Sequence, residues 1–265
     1  MNISIRSARV FFEIFKRDCI VYSHQWKRLA INNWFITPAI EAICFGYIVP
    51  MVSMSQTNPR SMTAFLSGMI LWVIFPLAWS FAVELMYDFE HNKFVNYLNT
   101  ILNPNLVVLE KILFYSAIGF INILPFFPVC MLILGSYFDT TNLDWIKLLC
   151  ILYAGSLFCA AYNVFFVCYV GGFQQVSNFW MRLNYPMINL GGTFLSWKLM
   201  ASYSPLLGYA LLANPLIYIS EGIRNALLGP DNHFHFGLCI LALIGFSLVL
   251  TLCAMHYYRK KLDTI

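Results

Sequence analysis

The sequence predicts an all-α membrane protein: six transmembrane helices, an N-terminal amphipathic interfacial helix, and a re-entrant helix pair before the last span. Three observations lead there. Hydrophobic residues make up 60% of the 265 and charged residues 11%, against about 45–50% and about 25% in soluble domains. Too few charges remain to cover a surface in water, whereas lipid solvates an apolar exterior. Several stretches reach the roughly 20 apolar residues that cross a bilayer. The basic residues gather at the chain ends and in short loops, as the positive-inside rule expects of cytoplasmic segments.

The first element precedes the spans. Phe11, Phe15, Cys19, Tyr22, Trp26 and Leu29 recur at helical spacing, and Glu13, Lys16, Arg17, Lys27 and Arg28 fall mostly off that stripe. This predicts an amphipathic helix over residues 8–29, lying in the cytoplasmic interface with its aromatic face toward lipid and its cations toward headgroups.

The spans follow in order. Trp34–Met54 carries one charge, Glu41, and Met62–Met86 carries one, Glu84. Ile112–Phe138, Leu148–Val170 and Phe236–Met255 carry none. The uncharged Leu183–Trp197 is short and is extended back toward Asn178. Residues 199–228 are interrupted by Ser204-Pro205 and Asn214-Pro215. Proline removes an amide donor and ends or kinks a helix, so this stretch is predicted to dip in and return.

Charge placement decides between six and seven crossings. Arg6, Arg9, Lys16, Arg17, Lys27 and Arg28 precede the first span, and Arg259, Lys260 and Lys261 follow the last. Both termini are expected in the cytoplasm, which needs an even number of crossings. With six, Lys93, Lys111 and Arg182 are also inside, and Arg60, Lys147, Lys198 and Arg224 lie outside. No repeat or long linker divides the chain, so residues 1–265 are expected to form one membrane domain.

Catalytic and cofactor signatures are missing. There is no GxxxxGK[ST] phosphate loop, no HExxH and no GxSxG. The formal charge of +4 forms no basic patch with interleaved aromatics, which argues against nucleic acid. None of the eight cysteines makes a CxxC, and as small buried hydrophobes they need no metal. His233 and His235, two residues apart, could share a metal only in extended structure; a loop or headgroup-level role fits them better.

Three carboxylates require a reason, because charge in a membrane is costly. Glu41 fits equally a polar translocation path, a proton relay or a structural hydrogen bond. Glu84, near the inner end of its span, fits an interfacial position. Glu221 has a partner in Arg224 three residues on, on the same helix face, and the pair is expected to anchor the re-entrant helix.

The run Asn214-Pro215-Leu216-Ile217-Tyr218-Ile219-Ser220-Glu221-Gly222-Ile223-Arg224, closing at Gly229, resembles the signature that ABC-2-type export permeases carry before their last span. The family opens it with Asn-Pro-Leu, follows with an aromatic or His, and continues with Glu, Arg and a terminal Gly. A second match runs from Asp88, Glu90, Asn92 and Lys93 through Leu98, Thr100 and Leu102 to Lys111. It is similar to the family's coupling segment, placed here at residues 88–103, with Asn92-Lys93 standing for Gly-Thr and Ile101 for Pro. A third, Asn178–Trp197, is similar to the fifth span and its Gly-Thr-Phe-Phe-Pro ending, with Trp197 in place of Pro. Asn33–Pro38 and the helix before it resemble drug and nodulation-factor exporter permeases.

The resemblance implies the transmembrane permease subunit of an ATP-driven exporter in a bacterial inner membrane, moving an amphipathic, lipid-linked or glycan-type substrate. It implies a cytoplasmic ABC ATPase as partner, a second permease copy in a homodimer, and ATP and Mg bound on the partner with no cofactor on this chain. Asp88, Glu90, Asn92 and Lys93 would then couple to the ATPase. Asn214, Pro215, Tyr218, Glu221, Arg224 and Gly229 would form the re-entrant signature, and Glu41 would lie on the pathway. Three other classes stay open: a non-transporting anchoring or assembly subunit, which predicts no ATPase partner; a lipid-modifying membrane enzyme, which needs acid, base or metal ligands gathered at one depth; and a proton-coupled carrier using Glu41 and Glu84, which predicts transport driven by a pH gradient without ATP.

Overall fold

The computed structural model describes residues 3–48, 58–90, 103–170, 178–231 and 233–262, together with Gly172 and Gln175. Among these residues all regular structure is helical. Helix α1 (Ile3–Ala30) runs without a break through a π-turn (Ile31–Ile36) into α2 (Thr37–Ile43) and a second π-turn (Cys44–Ile48). Next come α3 (Pro59–Met69), α4 (Leu71–Glu90), α5 (Pro104–Ile123), α6 (Phe126–Leu134) and α7 (Trp145–Tyr169). A helical stretch from Trp180 to Thr193 contains α8 (Tyr185–Ile188) between two π-turns. The chain closes with α9 (Trp197–Tyr203), α10 (Pro205–Leu211), α11 (Leu216–Leu228) and α12 (Phe236–Leu262).

Helix starts follow local chemistry. Asn58 and Asn103 each accept a backbone N–H two residues on, ahead of Pro59 and Pro104 in the first turn. Asp144 accepts the amides of Ile146 and Lys147 to open α7. Each carboxamide or carboxylate satisfies an amide that a helix start leaves without an intrahelical partner.

Among the described residues four helical stretches are long and apolar enough to cross a membrane: Pro59–Tyr87, Pro104–Tyr137, Trp145–Tyr169 and Phe236–Lys261. The pair α10 and α11, turned by 98° across a short break, raises this to five if it counts as one span. The expected first span is helical as far as Ile48, and its residues 49–54 lie outside the described residues. The expected fifth span is a shorter helix that ends where Gly192 turns to φ +83°. The re-entrant stretch holds three short helices rather than two, because Ser204-Pro205 separates α9 from α10.

Helix α7 is the axis of the bundle and touches α12, α5, α4 and α11. Its Ala154, Gly155, Ser156, Cys159, Ala160 and Ala161 are buried. Small side chains let helices approach closely, the main source of packing energy where lipid is as apolar as the protein. Two apolar clusters form along the bundle, one around Phe75, Phe127, Phe158 and Ile219, the other around Phe81, Leu85, Ile112 and Tyr258.

The first helices run parallel to α5 and α6 along one seam. Lys111 pairs with Asp18. Asn122 donates to the Tyr22 hydroxyl at 2.7 Å and accepts from the Asn33 carboxamide at 3.3 Å. Farther on, the Cys130 thiol lies 3.8 Å from the Pro38 carbonyl, and the Tyr47 hydroxyl donates to Ile133 O at 2.9 Å. This seam corrects the expectation that the aromatic face of α1 turns to lipid. Phe15 and Tyr22 pack edge-on against Phe114, at 5.8 and 6.4 Å between ring centres, and Cys19 joins the same cluster. Among the described side chains of this helix, Phe12, Ile20 and Val21 are exposed large apolar residues. Asp18 is buried on the packed face, so the seam needed a partner helix with a cation, which α5 supplies.

Candidate functional site

The bend between α10 and α11 is built by the residues that interrupt the sequence. The Asn214 carboxamide accepts the Leu216 amide at 3.1 Å and donates to Met187 O at 2.7 Å. One side chain thus starts α11 and ties it to α8. Pro215 stands immediately before α11, where its missing N–H costs nothing. The Tyr218 hydroxyl reaches back to Leu212 O at 3.0 Å. At the other end Gly229 turns the chain out of the helix at φ +89°, a conformation that glycine adopts without strain.

Glu221 and Arg224 lie inside this frame, each about 1% exposed. Arg224 Nη1 donates to Glu221 Oε1 at 3.0 Å, Nη2 to Gly192 O at 2.5 Å, and Nε to Ala64 O at 3.2 Å. Glu221 Oε1 also accepts the Trp197 amide at 2.8 Å, and Oε2 faces His233 Nδ1 at 3.3 Å. The Ser220 hydroxyl adds a bond to Gly191 O at 2.7 Å. One ion pair therefore joins α3, the turn at Gly191–Gly192, the start of α9, α11 and the loop before α12. A buried ion pair repays its desolvation only when its remaining donors and lone pairs are satisfied. Here the guanidinium uses all three of its nitrogens and both carboxylate oxygens have partners.

The neighbours are shaped to admit the guanidinium. A Cβ on Gly68 would stand 2.0 Å from Thr193 O and 2.7 Å from Arg224 Nη2. Gly192 combines positive φ with a carbonyl that receives Nη2, and a Cβ there would lie 2.4 Å from the Ser220 hydroxyl. Trp197 stands where the family pattern has proline, and its amide is used; proline has no amide to give. Its indole Nε1 donates to Gly208 O at 2.8 Å, and its ring lies 4.8 Å from that of Phe234.

The turns at this end of the bundle are stitched to the same corner. The Asp144 amide donates to Ala226 O at 2.8 Å, the Asp139 amide to the Thr63 hydroxyl at 2.8 Å, and the Arg60 guanidinium to Leu228 O at 3.4 Å. Both the Thr141 hydroxyl and amide donate to the Asp139 carboxylate and hold it below its ordinary range.

The other expected site residues lie apart from this corner. Asp88 and Glu90 are in the last turn of α4, while Asn92 and Lys93 lie outside the described residues. Glu41 sits on α2, half-buried, and its Oε2 has no hydrogen-bond partner. Glu84 is exposed on α4. His235 is exposed, and His233, expected at loop or headgroup level, closes the Glu221 carboxylate. Sequence reasoning missed His233, Gly68 and the Trp197 amide. The Trp-for-Pro substitution was visible but did not say what the restored amide binds.

What the geometry shows is a tie between chain segments. Among the described residues no three His, Cys, Asp or Glu gather as a metal-binding set. The ion pair is sealed from solvent, with no room for a reacting group. It ties α11 to α3, to the turn at Gly191–Gly192, to the start of α9 and to the loop before α12.

The sequence profile of the family described as ABC-2 type transporter matches residues 9–228, from α1 to the end of α11. No curated protein and no solved structure matches the chain.

Proposed function

From the chain's membership of the ABC-2 type transporter family, to which it belongs by the match over residues 9–228, we propose that it is the permease subunit of an ATP-driven exporter. In transporters of this family ATP is bound on separate ATPase subunits. The observation that carries the proposal is that match, which spans the long helices Pro59–Tyr87, Pro104–Tyr137 and Trp145–Tyr169 and ends with the bent pair. The chain is proposed to cross the membrane six times, counting the helices at residues 31–48 and 180–193. Arg17, Lys111, Arg259 and Lys261 lie toward the end of the bundle away from the arginine corner, which supports placing that end in the cytoplasm.

Two copies bound to two cytoplasmic ATPases would enclose the path. The ATPase would grip Asp88, Glu90, Asn92 and Lys93 together with α1, and closure on ATP would rock the permeases between states. Glu41, with an oxygen left without a hydrogen bond, fits a polar position on that path. The cargo is proposed to be amphipathic, lipid-linked or glycan-bearing, on the family's export role.

Affinity purification of the tagged chain in mild detergent tests the assembly. A stoichiometric ATPase is expected to come with it, and an intact, folded chain that brings none overturns the proposal. Glu90→Lys is expected to leave assembly intact and uncouple ATP hydrolysis from transport; unchanged transport removes the coupling segment from the mechanism.

A further inference from the structure

A second cluster of charge lies where α1 meets the start of α5, and it is built differently from the arginine corner. Lys111 is bound to Asp18 across the seam. Asp18 also receives the Arg17 guanidinium at 2.6 Å. Glu110, next to Lys111 on α5, is about 1% exposed, and neither of its oxygens has a hydrogen bond. Its carboxylate lies 3.7 Å from the Lys111 ammonium, within ionic reach but not bonded. A buried carboxylate with two idle oxygens needs an explanation.

We propose that Glu110 is the alternate partner of Lys111 and that the three residues form a two-position joint between α1 and α5. In the position seen, Lys111 is given to Asp18 and α1 is held down. In the other, α1 lifts, Asp18 leaves with Arg17, and Lys111 closes on Glu110. Neither position strands the ammonium, so the helix detaches without leaving a lone buried cation, which is what makes breaking an ordinary buried pair so costly. Lys111 also lines a narrow cleft with Leu85, Val107, Val164 and Tyr258, from α4, α5, α7 and α12 but not from α1. The position seen under-serves Glu110 and the lifted position under-serves Asp18 only until water reaches it, which offsets part of the cost of giving up the Phe15 and Tyr22 contacts to Phe114 and lets an outside bias select between the two.

The joint needs only this chain. Its use in passing ATPase movement to the spans rests on the permease proposal, so the test is made without ATP and its failure would leave that proposal standing. Cys19, on the packed face of α1 beside Asp18, reports the position. Membranes holding the full chain are treated with N-ethylmaleimide, and the Cys19 peptide is followed by mass spectrometry. Asp18→Asn weakens the held position and is expected to label about tenfold faster. Glu110→Gln removes the alternate partner and relieves the held position of an unserved charge; it is expected to label about threefold slower. A merely structural cluster gives the same sign for both variants, since each would only loosen packing. Wholly buried Cys159 must stay unlabelled as a check on folding; if Asp18→Asn exposes it, Glu110→Gln alone decides. Unchanged or faster labelling in Glu110→Gln overturns the joint.

Discussion

The two ends of the bundle each bury an ion pair, and they treat it in opposite ways. At the Arg224 corner every nitrogen of the cation and both oxygens of Glu221 are engaged, and four of the contacts are to backbone or to a ring fixed by its loop. At the Asp18–Lys111 seam Lys111 faces two carboxylates, one of them shared with Arg17, and Glu110 keeps no hydrogen bond. A saturated pair has no second arrangement of comparable energy, because any movement strands a charge in a dry site. An unsaturated set has one within a few ångströms. The corner therefore fixes geometry, and the seam permits change.

Substitutions at four positions break or sharpen that contrast. Arg224→Met should do most, because it leaves Glu221 without its cation and two carbonyls without their donor. A loss of about 3–5 kcal/mol is expected, read as lost monodisperse protein in detergent size-exclusion chromatography. Arg224→Lys should not rescue it, since one ammonium cannot span three acceptors on three elements; full rescue would mean that charge, not the fork, is what counts. Gly68→Ala comes next, with about 2–3 kcal/mol lost to overpacking, read as a lower melting point by a thermal-shift assay. A wild-type melting point would show that α3 can move off the corner. Trp197→Pro removes one donor to Glu221 and should cost about 1–2 kcal/mol, while Trp197→Phe keeps that amide and loses only the bond to Gly208. A larger loss in the Phe variant would place the stabilisation in the indole instead. Asn58→Ala removes the cap at the start of α3 and touches neither ion pair; it should cost about 1 kcal/mol, the smallest change in the same assay. If it rivals Arg224→Met, the corner holds no special stability.

Much of this was legible beforehand. The spacing of Glu221 and Arg224 declared a pair on one helix face, and Asn214-Pro215 declared a break. The spans at Pro59–Tyr87, Pro104–Tyr137, Trp145–Tyr169 and Phe236–Lys261 follow from apolar length alone. The acceptors of Arg224 were not legible, because Ala64 O and Gly192 O are backbone atoms 160 and 32 residues away and any residue type offers a carbonyl. His233 was missed for a related reason: its partner depends on how the loop before α12 folds over α11. The stripe of α1 gave the right helix and the wrong neighbour. Lipid and a neighbouring membrane helix both accept aromatics, so periodicity finds the apolar face without saying what covers it. Asp18 at the edge of that stripe was the available hint, since a carboxylate on a buried face implies a cation opposite.

The seam between the first helices and α5–α6 also has a consequence for how the chain is made. Its contacts join residues 86 to 100 positions apart in sequence, while α1 and α2 leave the ribosome first. At about 5–20 residues per second, these helices wait roughly 5–20 s before their partners emerge. During that interval Asp18, Asn33 and Tyr22 have none of the seam's bonds. The insertion machinery must shelter them or leave them at the membrane surface until α5 arrives. Nascent chains halted before Pro104 should therefore cross-link through the first helix to that machinery, and chains long enough to have brought Leu134 out of the ribosome should have let go.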